Sequence, residues 1–158
     1  MNNRTAYILG RCLGKMVADL KIKDRTALLT NAMHNPMSQI TIMHMKRMPD
    51  FSEQLTEYLT AMMNQIETDE ALGDLSPEEQ SVFSMGYQTG LCPFDVKTEI
   101  RSRDITQQQL ADHMGIGRST LARWLSEEGS IPKGRRTEIE LAIYSLSGII
   151  GNGYEYIE

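Results

Sequence analysis

The chain has 158 residues, of which 41% are hydrophobic and 23% charged, and a formal net charge of −5. This balance fits a globular chain long enough to bury a core and excludes a disordered or collagen-like one. No run approaches the roughly 20 apolar residues of a membrane span, and the opening MNNRTAYILG lacks the apolar stretch of a signal peptide, so a cytoplasmic protein of one or two small domains is expected.

Eleven methionines and 6% aromatic residues suit a helical protein with an adaptable core. In chain order, Ile8, Leu9, Cys12, Leu13, Met16, Val17 and Leu20 repeat with a helical period, which predicts an amphipathic helix over 5–20. Gly10 and Gly14 stand four apart on it, a spacing that marks close helix–helix packing. Asp24 is placed to cap a second helix carrying Ala27, Leu28, Leu29, Ala32 and Met33. Asn35-Pro36 reads as a cap followed by Pro at the first helical position, and Met37, Ile40, Ile42 and Met43 form the next apolar face. Asp50 with Glu53 reads as a capping box ahead of Leu55, Leu59, Met62, Met63 and Ile66. Ser76-Pro77-Glu78-Glu79 opens a helix carrying Val82, Phe83 and Met85, which is expected to stop near Gly86 or Gly90. Cys92-Pro93 disfavours helix and marks a junction.

The charge is unevenly spread. Residues 1–96 hold eight basic and twelve acidic side chains, residues 97–136 eight basic and five acidic, and residues 137–158 four acidic and none basic. One basic segment therefore lies between acidic ones. Within it, TQQQLADHMGIGRSTLARWL predicts two short helices, Gln107–Met114 and Arg118–Leu125. Thr106 caps the first, and Gly115 ends it in the left-handed conformation. Ala111 allows close crossing, and Leu110, Met114, Ile116, Leu121 and Trp124 supply the shared core.

This stretch resembles the lambda-repressor/Xre family of helix-turn-helix domains, whose phrase runs Thr-Gln-x-x-Leu-Ala, then Gly, then Ser-x-Ser-x-hydrophobic-x-x-Trp. The resemblance covers about residues 95–147. It implies that the second helix enters the major groove of double-stranded DNA, with Gly117, Arg118, Ser119 and Arg123 at base edges. It also implies Gln107 and Gln108 at phosphate or the groove edge. The family often has Ser or Thr where this chain has Gly117, which removes a cap and a polar contact and leaves more to Arg118. Lys97, Arg101, Arg103, Lys133, Arg135 and Arg136 flank the motif as phosphate anchors would. The competing reading makes these arginines solvated charges on an interaction module. A homodimer is expected, for which the helix bearing Ile139, Ala142, Ile143 and Leu146 and the segment GIIGNGYEYIE offer apolar surface, unless they pack within the domain.

In the N-terminal part, AYILGRCLG, KDR and LSPEEQSVFSMGY resemble the C-terminal helical region of the large subunit of type I-C CRISPR surveillance complexes, which is also made separately as the small subunit. The resemblance spans about residues 5–88 and implies subunits of such a complex as partners. Two departures bear on it: Tyr87-Gln88-Thr89-Gly90 stands where the family has Tyr-His-Gln-Arg, and the module is net acidic. A module that keeps subunit contacts without the nucleic-acid role would act as a decoy.

No catalytic constellation, metal or cofactor is expected. His34, His44 and His113 lack companions at ligand spacing, the run ETDEALGD reads as a solvated loop, and Cys12 and Cys92 read as small buried hydrophobes in a reducing compartment. The expectation is an all-α protein: a helical bundle over 1–91, then a helix-turn-helix domain with a C-terminal tail over 95–158. Three readings stay open. One is an autorepressor, of phage or other mobile-element origin, that also inhibits a type I-C complex by subunit mimicry. The second is a plain phage or plasmid regulator with a dimerising or sensing bundle. The third is a variant complex subunit.

Overall fold

The computed structural model describes residues 1–66, 73–92, 95–127, 131–132 and 134–148. Every regular element among them is helical, and the chain divides into two compact units, Met1–Pro93 and Phe94–Glu158.

The first unit is built on helix α1, Asn3–Asp19. Asn2 caps it, its Oδ1 accepting the Thr5 N–H at 2.8 Å. A one-sided stripe is the sequence expectation, but Thr5 through Gly14 are buried without a break, so α1 is a central helix. Its charged residue in this run, Arg11, is satisfied in place: Nε donates to the Tyr58 hydroxyl at 2.9 Å.

Helices α2 (Thr26–His34), α3 (Pro36–Arg47) and α4 (Glu53–Met63) follow, with one 3-10 turn at Met48–Asp50. Asn35 caps α3 as its sequence requires, accepting the Ser38 N–H at 3.1 Å. Two other expected caps are corrected. Helix α2 starts at Thr26 with Arg25 as its cap residue, so Asp24 lies one residue too early to reach the first free N–H groups. Asp50 is taken up in the 3-10 turn and pairs with Arg47 at 3.1 Å, while Ser52 caps α4 by accepting the Leu55 N–H at 3.0 Å. Ile40 and Met43 point into the core, whereas Ile42 is exposed. Cys12 is buried as expected, but Cys92, at the end of the last helix of the unit, is exposed.

That helix, α5, spans Pro77–Leu91 and opens with the capping box Ser76/Glu79. It runs through Gly86 and ends one residue past Gly90, near the second of the two expected stops, and both glycines lie in a backbone-to-backbone contact with α1. A Cβ at Gly10 would stand 2.1 Å from the Phe83 carbonyl oxygen, at Gly14 2.1 Å from that of Tyr87, at Gly86 2.1 Å from that of Tyr7, and at Gly90 2.3 Å from that of Arg11. The pairing advances in the same direction along both helices, so α1 and α5 run parallel. Each glycine lays a Cα–H against a carbonyl of the other helix, a contact open only to residues without a side chain. The crossing is flanked by the buried hydrogen bond from the Tyr7 hydroxyl to Thr89 Oγ1, 3.1 Å. Leu9, Leu13, Met16, Leu55 and Phe83 lie in the apolar cluster of this unit.

Alanine is the better helix former by about 1 kcal/mol, yet Gly10→Ala should destabilise the protein by about 1–3 kcal/mol or more, because the added methyl meets rigid backbone. Urea melts of the full chain check this, and an unchanged or raised midpoint would contradict the close crossing.

Burial pushes the Cys12 thiol up to about 12 from an ordinary value near 9, against a smaller opposite pull from Arg11. The folded value lies above the unfolded one, so this contribution is complete below pH 9 and is lost as the unfolded chain ionises between the two values. Above pH 9 the unfolding free energy should therefore fall more steeply than in Cys12→Ala, by up to about 1.4 kcal/mol per pH unit. Parallel curves for the two proteins would show an accessible thiol.

Candidate nucleic-acid interface

The second unit begins with α6, Val96–Ser102, and closes its described part with α9, Arg135–Leu146; between them lie α7, Gln107–Met114, and α8, Arg118–Ser126. Helix α7 opens with a reciprocal box: the Gln109 N–H donates to Thr106 Oγ1 at 3.0 Å, and the Thr106 N–H donates to Gln109 Oε1 at 2.9 Å. Its end is set by Gly115, at φ 69° and ψ 31°. The Ile116 N–H returns to the Ala111 carbonyl at 3.0 Å and the Gly115 N–H to that of Asp112 at 3.2 Å, the paired bonds of a Schellman ending. Ile116 is thereby swung onto the core, and two residues later α8 departs from Gly117.

Helices α7 and α8 meet over Leu110, Ala111, Leu121, Trp124 and Leu125, which α6 completes with Val96 and Ile100 and α9 with Ile139, Ala142 and Ile143. The last three are therefore interior to this unit and do not form an outward dimerisation face. Residues 149–158, most of GIIGNGYEYIE, lie outside the described residues.

With Leu121, Trp124 and Leu125 turned inward, α8 presents Arg118, Ser119, Ala122 and Arg123 to solvent. Ala122 is the member of this face that the sequence reading missed; its place one turn beyond Arg118 was the available signal. Gly117 is also exposed, with φ −71° and ψ 145°, the conformation of a capping residue but without a side chain to cap. On α7, Gln108 is exposed and donates to Asp112 Oδ1 at 2.7 Å, and Gln107 is half-buried.

The flanking cations differ in their surroundings. Lys97 and Arg101 are exposed on α6. At the start of that helix the Thr98 hydroxyl donates to Asp95 at 2.8 Å and, with Lys97 contributing less, holds its carboxyl below the usual carboxylate range. Arg103 is engaged within the unit: it pairs with Glu99 at 3.0 Å, lies 5.4 Å from the Tyr144 ring centre and reaches Ser147 Oγ at 3.4 Å. The four-residue spacing of Glu99 and Arg103 was its signal in the sequence. Arg135 pairs with Glu138 and lies 5.9 Å from the Trp124 ring centre. That stacking had no sequence signal, because it joins residues on different helices. Arg136 is half-buried, and Lys133 lies outside the described residues.

The tight turn, the small residue at the crossing and the exposed basic helix face agree with the comparison to known families: residues 96–136 match the family model described as Helix-turn-helix. The chain carries a DNA-binding helix-turn-helix domain. Its limits take in α6, α7, α8 and the start of α9. Neither a curated protein nor a solved structure matches the chain. Among the described residues no group of three His, Cys, Asp or Glu could hold a metal ion, and no helix is long and apolar enough to cross a membrane.

The two turn glycines of the domain should respond oppositely to substitution. Gly115→Ala forces a side chain into the left-handed region and should lower stability by about 1–2 kcal/mol. A Cβ at Gly117 would meet nothing closer than Thr120 Oγ1 at 3.8 Å. Gly117→Ser, which restores a cap and reduces unfolded-state freedom, should therefore raise stability by about 0.5–1 kcal/mol. Thermal melts of both variants check the opposite signs.

Proposed function

We propose that the protein is a sequence-specific double-stranded-DNA-binding transcriptional regulator that represses its own promoter as a homodimer. The observation that carries this reading is the outward face of α8: Arg118, Ser119, Ala122 and Arg123 stand exposed on a helix whose opposite side is locked into the core. A helix so anchored can enter the major groove without rearranging. Arg118 and Arg123 then offer the fork that reads guanine O6 and N7, Ser119 a hydroxyl for either base type, and Ala122 a methyl for thymine. Gly117 lets the backbone at the start of α8 come close to the bases. Gln107 and Gln108 open the preceding helix, where phosphate is met. Lys97, Arg101, Arg136 and Lys133 serve as phosphate anchors. Arg103 and Arg135 contribute mainly by holding the domain together, since each is stacked on an aromatic ring and paired with a carboxylate.

Footprinting of the full chain on DNA from upstream of its own gene tests the reading. Protection of a two-fold-related site, with log affinity falling steeply as log salt rises, is expected. Arg118→Ala should cost about 1–3 kcal/mol and relax preference at one base position, whereas Lys97→Ala should weaken all sequences alike. Equal affinity for every sequence, or no binding, would overturn it.

A second reading concerns the first unit, and one observation favours it. The two phrases that resemble the type I-C CRISPR subunit, AYILGRCLG and LSPEEQSVFSMGY, are the two faces of the α1–α5 glycine crossing, so the resemblance is carried by a single packed unit. On this reading the unit occupies a subunit's place and inhibits the complex. Expression of the full chain in cells with an active type I-C system should then let targeted phage survive, and Arg118→Ala should protect equally well; undiminished killing of the phage would sink it.

A further inference from the structure

We infer that the outer face of α3 is a docking site for an acidic amphipathic helix of a partner protein. Helix α3 turns Ile40 and Met43 inward, and its other side carries Ile42 and Met45, followed at the same three-residue spacing by Met48 at the start of the 3-10 turn; they are 43%, 76% and 56% exposed. Single exposed hydrophobic residues are ordinary on a protein surface. Here the large hydrophobic side chains exposed among the described residues all fall within seven consecutive positions on one stripe. Two of the three are methionines, whose unbranched side chains adapt to the surface they meet.

The charge around the stripe selects the partner. Lys46 and His44 are exposed beside Met45, and α3 carries no carboxylate at all. The carboxylate that follows, Asp50, is paired with Arg47. The stripe is thus apolar and basic, while residues 1–96 as a whole hold twelve acidic side chains against eight basic. A net negative unit is repelled by an anionic lipid surface at long range, whereas a short acidic helix reaches the local positive strip without meeting the rest of the unit. A second copy is disfavoured on two counts. Three side chains bury far less than the roughly 800 Å² per partner of a stable dimer, and two-fold pairing about Met45 would set Lys46 beside the same basic end of the other copy. A helix with apolar residues at i, i+3, i+4 and i+7 and carboxylates beside them matches both the spacing and the charge.

The test uses the full chain and a fluorescent synthetic helix about four turns long, with leucines at that spacing and glutamates elsewhere. Its twin carries lysines in place of the glutamates. Fluorescence anisotropy should show saturable binding of the acidic helix, weakening as salt rises. Met45→Ser/Met48→Ser should weaken it by about tenfold or more, and Lys46→Glu should weaken the acidic helix and strengthen the lysine twin. All three residues are exposed, and unchanged thermal midpoints will show that the variants fold. Four results overturn the inference: equal binding of the two helices by the wild-type chain, binding unaffected by the methionine substitutions, no binding of the acidic helix, or binding of anionic phosphatidylserine vesicles in its place. A concentration-dependent dimer that Met45→Ser dissolves would overturn it in favour of self-association. The outcome is independent of the DNA-binding reading, since α3 lies outside the helix-turn-helix domain.

Discussion

Two helices can touch backbone to backbone only where no side chain stands between them, and the first unit of this protein is organised around such a place. In the first unit the contact is reciprocal. Gly10 and Gly14 admit the carbonyls of Phe83 and Tyr87, and Gly86 and Gly90 admit those of Tyr7 and Arg11. A helix carrying glycine gives up intrinsic stability at each one, so α1 and α5 are held as helices by the close contact that the glycines permit. Because α5 covers one side of α1 at this distance, the other helices of the unit can close over the rest of it, and even Arg11 is buried against Tyr58.

In the second unit a different constraint, the left-handed backbone of a turn, has the organising role. Ala111 is fully buried where α7 meets its neighbours, and Gly115 takes the left-handed conformation that returns the Ile116 N–H to the Ala111 carbonyl. These residues set the direction in which α8 leaves. That direction decides which face of α8 is exposed, since Leu121, Trp124 and Leu125 are taken up by the core. The outward face of α8 thus depends on residues buried behind it.

The cations of the domain illustrate how packing redistributes roles that look alike in a sequence. Arg101 and Arg103 are two positions apart, yet one projects from α6 and the other is drawn onto Glu99, Tyr144 and Ser147. Arg135 opens α9, where a positive charge opposes the helix dipole; pairing with Glu138 and stacking on Trp124 offset that.

The amino-acid sequence by itself determined the helical class, the ends of α7 and the start of α8, and the caps Asn35 and Ser76, because each rests on groups within a few residues of one another. The resemblance of its phrase to lambda-repressor/Xre helix-turn-helix domains also pointed to Arg118 and Arg123, which are exposed on α8. The tertiary structure alone decided what depends on distant partners. Gly86 looks like a helix stop until α1 is laid against it, and Asp50 looks like a cap until Arg47 claims it and Ser52 takes its place. Ile42 looks like core until α3 is seen to turn Ile40 and Met43 inward instead. Ile139, Ala142 and Ile143 look like apolar surface for joining two copies, and only the packing of the domain shows that they lie in one cluster with residues of α6, α7 and α8. Local hydrogen bonds are written in adjacent residues, whereas the partner of an apolar face is chosen by the fold, because burial has no direction along the chain.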